Sequence, residues 1–145
     1  MVRVIIGSDH GGFEYKQHLI FHLLSLGYEV YDGGTYTHES TDYPIYGEHV
    51  GRYVASGNAD FGIVICTSGE GIAMAANKVP GARCGIGYND EVAELMRKHN
   101  DANIISFGQK FMSYEDVVRR VDIFLNTAFE GGRHQRRVDL INNIK

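Results

Sequence analysis

Phe61-Gly62-Ile63-Val64-Ile65-Cys66-Thr67-Ser68-Gly69-Glu70-Gly71-Ile72-Ala73-Met74-Ala75-Ala76-Asn77-Lys78 carries a short apolar run into a glycine-rich turn and then into small residues suited to a helix. The run Phe61 to Ile65 shows no polar alternation, which marks a strand buried on both faces, and Ile72 to Lys78 reads as the helix that follows. A strand feeding a helix through a tight turn is the repeating unit of a parallel sheet covered on both sides. The turn also has a chemical consequence. Backbone N–H groups near Ser68 to Gly71, at the start of a helix, converge on one spot beside the Cys66 thiol. Such a spot suits a developing oxyanion next to a proton acceptor, the equipment for enolising a sugar carbonyl.

The same alternation extends in both directions, giving five strand-helix units. Val2 to Gly7 is the first strand; after Gly11-Gly12 a helix presents Phe13, Ile20, Leu23 and Leu24 at helical spacing until Gly27 ends it. Glu29 to Asp32 is the second strand. A loop from Gly33 to Tyr43 reaches Pro44, suited to the first turn of a helix running toward Ser56 and Gly57. Phe61 to Cys66 is the third strand, Ala82 to Gly87 the fourth and Ile104 to Phe107 the fifth, with Asn89 capping a helix through about His99. Ser113 and Asp116 resemble a capping box, and Val117, Val121, Phe124, Leu125 and Ala128 line one helical face. After Gly131-Gly132 the tail repeats Val138, Ile141 and Ile144 at helical spacing, a stripe that needs either its own domain or a second subunit to cover it.

With 145 residues, 43% of them apolar, the chain fits a single domain spanning 1–145 with a real core. Its net charge of −4 opposes a nucleic-acid or anionic-membrane surface, because either needs a basic field. No apolar run approaches a membrane span and the amino terminus lacks a signal-peptide core, so a cytoplasmic location is expected. Cys66 and Cys84 are the only cysteines, which favours free thiols over a disulfide.

Ligands of open parallel sheets sit outside the carboxyl ends of the strands, and here those positions are polar. Ser8, Asp9 and His10 follow the first strand; Cys66, Thr67 and Ser68 follow the third. Asp9 and His10 can position a substrate hydroxyl, although Asp9 could equally cap the next helix. Cys66 is either a buried inert thiol or a base whose thiolate is favoured by the following helix. Two nucleotide motifs fail on inspection. Gly7 to Gly12 has the gap of a P-loop, but Phe13 stands where its lysine belongs; Gly69 and Gly71 begin a GxGxxG that Met74 breaks, so Asp32 merely imitates a ribose-binding acid. His18 and His22 lie four apart without a third ligand close in sequence, so no metal site is expected. Arg133, His134, Arg136 and Arg137, placed at a helix start, suit either a phosphate dianion or a solvated basic turn.

Five ordered motifs, GSDHGG (7–12), TDYP (41–44), CTSGEGIAMAANK (66–78), HNDANI (99–104) and EGGRHQRRV (130–138), give the whole chain a resemblance to the B-type ribose-5-phosphate isomerases, whose superfamily includes galactose-6-phosphate isomerase subunits. The resemblance implies a three-layer α/β/α Rossmann-like sandwich with a five-stranded parallel sheet and a C-terminal helical tail. It also implies a homodimer or dimer of dimers with shared active sites, a small-molecule sugar phosphate as substrate, and no metal or organic cofactor. The implied reaction interconverts ribose 5-phosphate and ribulose 5-phosphate through a cis-enediolate.

By the same resemblance, Cys66 is the catalytic base and Ser68 a hydroxyl that assists proton movement at the substrate oxygens. The amides from Thr67 through Gly69 to Gly71 form the anion hole. His99 opens the sugar ring and is expected from the neighbouring subunit; Asn100 contacts substrate, and Asp9 and Tyr43 lie near the sugar. His10, Arg133 and Arg137 match phosphate recognition. Three positions depart from relatives: Thr67 replaces a frequent glycine, which predicts a less permissive turn; Lys110 replaces a frequent arginine; and Ile72 stands where some relatives carry a glutamate base, which leaves Glu70 without an assigned role. The alternatives are an isomerase of six-carbon phosphates, such as galactose 6-phosphate or allose 6-phosphate, and a non-enzymatic sugar-phosphate sensor. A sensor would need neither the thiol nor the ring-opening histidine, and a galactose-6-phosphate isomerase half would usually need a second subunit type.

Overall fold

Strands and helices alternate through the computed structural model, which describes every residue from Met1 to Lys145. The strands are β1 (Arg3–Ser8), β2 (Glu29–Asp32), β3 (Phe61–Cys66), β4 (Cys84–Ile86) and β5 (Ile104–Gly108). The helices are α1 (Phe13–Ser25), α2 (Tyr43–Ala55), α3 (Glu70–Asn77), α4 (Asp90–Lys98), α5 (Tyr114–Leu125) and α6 (Arg133–Asn142), and a single 3-10 turn, His10–Gly12, leads into α1. Every strand pairing is parallel and the sheet runs β2-β1-β3-β5-β4. The chain therefore builds outward from β1 in one direction and from β3 in the other, which opens a crevice between their carboxyl ends. Register makes those ends level: Ser8 lies opposite Ile65 and Cys66 opposite Gly108, so Asp9 and Cys66 leave the sheet as neighbours.

Side chains alternate across the sheet, and the two faces have separate cores. Val4, Ile6, Ile63, Ile65, Ile105 and Phe107 pack with α1, α4 and α5 on one side. Ile5, Val64, Cys66 and Ile104 pack with α2 and α3 on the other. The three-layer α/β/α sandwich is thus present, and its local signals act as expected. Asn89 Oδ1 accepts from the N–H groups of Glu91 and Val92 at 2.9 and 3.2 Å, Ser113 Oγ accepts from Asp116 N–H at 3.1 Å, and Pro44 sits in the first turn of α2.

Several boundaries move for physical reasons. β4 is shorter than Ala82 to Gly87 because only Cys84, Gly85 and Ile86 pair with β5, and its outer edge is closed by a side chain. Asn77 Oδ1 accepts from Cys84 N–H at 2.8 Å and its amide donates to the Cys84 carbonyl at 2.9 Å, in place of another strand. Helix α3 starts at Glu70, two residues before Ile72, because Gly69 absorbs the turn with φ of +83°. Leu24 points outward while Lys16 takes a buried position on α1, its ammonium 2.8 Å from Asp32 Oδ1. Asp32 also accepts from Gly34 N–H at 3.0 Å, so its carboxylate is occupied structurally, as expected of a false ribose-binding acid. Ala128 lies beyond the end of α5 and is exposed. In the tail, Val138 packs into the domain but Leu140, Ile141 and Ile144 do not.

Candidate active site

At the carboxyl edge of β1 and β3, a pocket of about 290 Å³ is lined by Asp9, Tyr43, Cys66, Thr67, Ser68 and Gly71. All six were candidates from sequence, and four elements deliver them: the end of β1, the start of α2, the end of β3 and the start of α3. Cys66 is 4% exposed, and its Sγ accepts the Gly69 N–H at 3.1 Å, so the thiol is held where β3 ends. Gly69 makes that approach possible, since a Cβ there would stand 2.8 Å from the Phe107 carbonyl carbon in a backbone conformation L-residues disfavour. The turn is fixed from beneath by Ser106, whose buried hydroxyl donates to the Gly69 carbonyl at 2.6 Å. Gly71 has a different reason: any side chain at that position would overlap the Tyr43 ring, which therefore closes over the first turn of α3.

The anion hole is narrower than the span from Thr67 to Gly71. Gly69 N–H is engaged by Cys66 Sγ, and Glu70 N–H donates to Ser68 Oγ at 3.2 Å. The N–H groups of Thr67, Ser68 and Gly71 have no acceptor within the chain, and these three remain for a ligand. Thr67 itself takes no left-handed backbone, so the glycine of relatives is not required there and the expected loss of permissiveness does not arise. Its carbonyl accepts from Lys110 N–H at 3.1 Å, but the exposed Lys110 ammonium lies near the Phe111 ring, outside the pocket.

Asp9 caps the turn and also faces the pocket. Its Oδ1 accepts from Gly11 N–H at 2.9 Å, capping the 3-10 turn, while the residue lines the pocket. Burial outweighs that bond and holds its pKa above the ordinary carboxylate value. His10 is exposed beside the pocket, with Nδ1 accepting from Thr41 N–H at 3.1 Å, and so ties the turn to the loop before α2.

His99, Asn100, Arg133 and Arg137 do not line this pocket. His99 ends α4 and Asn100 follows; Arg133 and Arg137 are exposed on α6. The chain after His99 is held firmly. Asp101 takes φ of +47°, with Oδ1 accepting from the buried Arg97 at 2.9 Å and its carbonyl accepting from Arg83 at 2.9 Å.

Folding also assembles a group the sequence did not reveal: His99, Glu130 and His134, whose ligand atoms all lie within 4.8 Å of one another. Glu130 and His134 flank Gly131-Gly132, and the visible signal was that pair of glycines beside a histidine far in sequence from His99. The donor set would suit a divalent ion, but the ring geometry does not converge. The His99 and His134 rings stack with centroids 4.3 Å apart and planes 13° from parallel. Because imidazole lone pairs lie in the ring plane, an ion about 2.0 to 2.1 Å from a nitrogen of each ring would lie well out of both planes. The His18/His22 pair is occupied otherwise, with His22 Nε2 2.9 Å from Asp122 and His18 packed on the Tyr114 ring.

Comparison with known proteins accounts for this arrangement. Residues 4–141 match the family model described as Ribose/Galactose Isomerase. The chain is 43% identical over 145 residues to ribose-5-phosphate isomerase B of Escherichia coli strain K12, covering all of this chain and 97% of that protein. Among solved structures, ribose-5-phosphate isomerase B of Clostridium thermocellum superposes with a TM-score of 0.96 at 45% identity, covering 97% of this chain and 95% of the other. The Mycoplasma genitalium enzyme, solved with bound ribulose-5-phosphate, superposes at 0.94 with 36% identity over 97% of this chain and 94% of its own. A match of this extent, reaching from β1 into α6 and taking in the cysteine turn, places the chain in the ribose/galactose isomerase family.

Proposed function

We propose that this protein interconverts ribose 5-phosphate and ribulose 5-phosphate by moving one proton between C1 and C2, with Cys66 as the base. The observation that carries the reading is a single held thiol at the mouth of a pocket where the N–H groups of Thr67, Ser68 and Gly71 are free to receive an oxyanion. In this scheme the furanose first opens: Asp9 takes the O1 proton, His99 gives one to the ring oxygen, and the C1–O4 bond breaks to leave the aldehyde. The Cys66 thiolate then removes the C2 proton. The resulting enediolate oxygen is met by the free amides, Ser68 passes the hydroxyl proton from O2 to O1, and the thiol returns its proton to C1.

His99 and Asn100 lie outside the pocket of their own protomer, so the scheme needs a second copy of the chain to bring them to it, with Arg133 and Arg137 available for the phosphate. A cytoplasmic homodimer or dimer of dimers with shared sites is therefore part of the proposal, and the uncovered Leu140, Ile141 and Ile144 supply apolar surface for such contacts. The deciding experiment is a coupled assay of the purified protein on ribose 5-phosphate, with galactose 6-phosphate and allose 6-phosphate alongside and EDTA in parallel samples. Turnover of the pentose phosphate above both hexose phosphates, unchanged by chelator, is the expected result. Binding without turnover would establish the sensor instead, and faster turnover of a hexose phosphate would establish the six-carbon enzyme.

A further inference from the structure

We propose that Glu130 and His134 are positioning residues for ring opening: the His134 ring fixes the plane of the His99 imidazole, and the Glu130 carboxylate selects which edge of that ring turns toward it. This rests on the isomerase reading, in which His99 gives a proton to the sugar ring oxygen. His99 needs such support because it stands at the last turn of α4 with its side chain 39% exposed, where an imidazole would otherwise sample several rotamers. The two restraints act along different directions. The stacked His134 ring, 4.3 Å away and 13° from parallel, blocks tilting, while Glu130 Oε1, 3.7 Å from His99 Nε2, selects one edge of the ring. A parallel stack resists tilt but leaves open the half-turn flip about Cβ–Cγ, which keeps the ring plane and exchanges its two edges, so neither contact is sufficient alone.

The restraining groups are themselves anchored. Glu130 N–H donates to the Lys98 carbonyl at 3.1 Å, which fastens the segment before α6 to the end of α4. His134 is 9% exposed, against 39% for the His99 side chain, so the platform is the more fixed of the two rings. Burial, with His99 and Arg133 nearby, holds the His134 pKa below the ordinary imidazole value, and a neutral platform does not repel the proton that His99 must carry. On the other side, Asp101 and its two arginines hold the backbone that leaves His99.

The test separates ring opening from enolisation. 4-Deoxyribose 5-phosphate lacks the hydroxyl that closes the furanose, so it reaches the enzyme as an open-chain aldehyde and asks only for the Cys66 step. Steady-state kinetics with both substrates should be measured for the wild type, Glu130→Gln, His134→Ala and His134→Phe. Glu130→Gln and His134→Ala should lower kcat on ribose 5-phosphate by about tenfold, part of the usual contribution of a placed acid, with little change on the 4-deoxy substrate. His134→Phe, which keeps a flat ring against His99, should recover most of the loss. Equal loss on both substrates, which also covers a folding defect, overturns the positioning role. So does an unchanged kcat in Glu130→Gln and His134→Ala, or a His134→Phe variant as slow as His134→Ala. Failure of the isomerase reading itself would look different, because the wild type would then turn over neither substrate.

Discussion

Removing the Cys66 thiol should separate catalysis from stability, and the structure supplies both magnitudes. Loss of a general base slows a proton transfer by about 100- to 10,000-fold, equivalent to about 2.7 to 5.5 kcal/mol of barrier. The structural cost of Cys66→Ala is smaller. Cys66 is 4% exposed, and its sulfur accepts a hydrogen bond from Gly69 N–H at 3.1 Å, so truncation leaves one buried donor without an acceptor and a void the size of one sulfur atom. The unmet donor costs about 1 to 3 kcal/mol, and the void about 1 kcal/mol more at the level of a single removed group. Cys66→Ala should therefore unfold cooperatively at a lower denaturant midpoint while retaining less than about one hundredth of wild-type kcat. Cys66→Ser restores an oxygen acceptor for Gly69 N–H, so its midpoint should recover toward wild type. Its kcat should not, because an alcohol gives up its proton far less readily than a thiol. Coupled kinetics and urea titrations on the three proteins decide the matter. A Cys66→Ala variant keeping more than about a tenth of wild-type kcat would refute the assignment of the base and turn attention to Asp9 or Glu70.

Subunit exchange tests the shared site: equal amounts of inactive Cys66→Ala and His99→Ala protein, randomly re-paired, should regain about a quarter of wild-type activity, because half the dimers are mixed and each holds one intact site. No regain despite exchange demonstrated by mass spectrometry would reject a site built from two copies. Asp9→Asn should stabilise the protein at neutral pH while slowing the reaction. Burial raises the native pKa of Asp9, so the native state keeps this proton to higher pH than the unfolded chain does, and stability falls as pH climbs from about 4 through the raised value. Urea midpoints measured from pH 4 to 8 should show that slope in the wild type and a smaller one in Asp9→Asn. Asp32→Ala removes the only charged partner of a fully buried Lys16 ammonium, leaving it the Gln17 Oε1 acceptor at 2.8 Å, and should cost about 3 kcal/mol in the denaturation curve, the lower end for a broken buried pair. Because Asp32 does not line the pocket, KM for ribose 5-phosphate should hold, and a raised KM in folded protein would contradict a purely structural role.

What the sequence determined by itself are the features whose causes lie within a few residues. The Phe61 to Cys66 run, the Gly69 turn, the Asn89 cap and Pro44 all act through backbone geometry or a hydrogen bond to a near neighbour, and each appears where the local pattern places it. Strand count and the cysteine beside its free amides follow from the same short-range causes. The β2-β1-β3-β5-β4 order, by contrast, is chosen by which apolar faces pack best, and nothing in β4 or β5 alone declares that they exchange places relative to chain order. The resemblance named Asp9 and Tyr43 as sugar neighbours; tertiary register explains why they meet Cys66, since Ser8 pairs with Ile65 and the Tyr43 ring settles on Gly71. Two of the amides expected in the anion hole are taken locally instead, Gly69 N–H by Cys66 Sγ three residues before it and Glu70 N–H by Ser68 Oγ two residues before it. The His99, Glu130 and His134 group depends wholly on long-range packing: the end of α4 and the entry to α6 are distant in sequence, and only closure of the sandwich brings an imidazole from each into a stack beside a carboxylate.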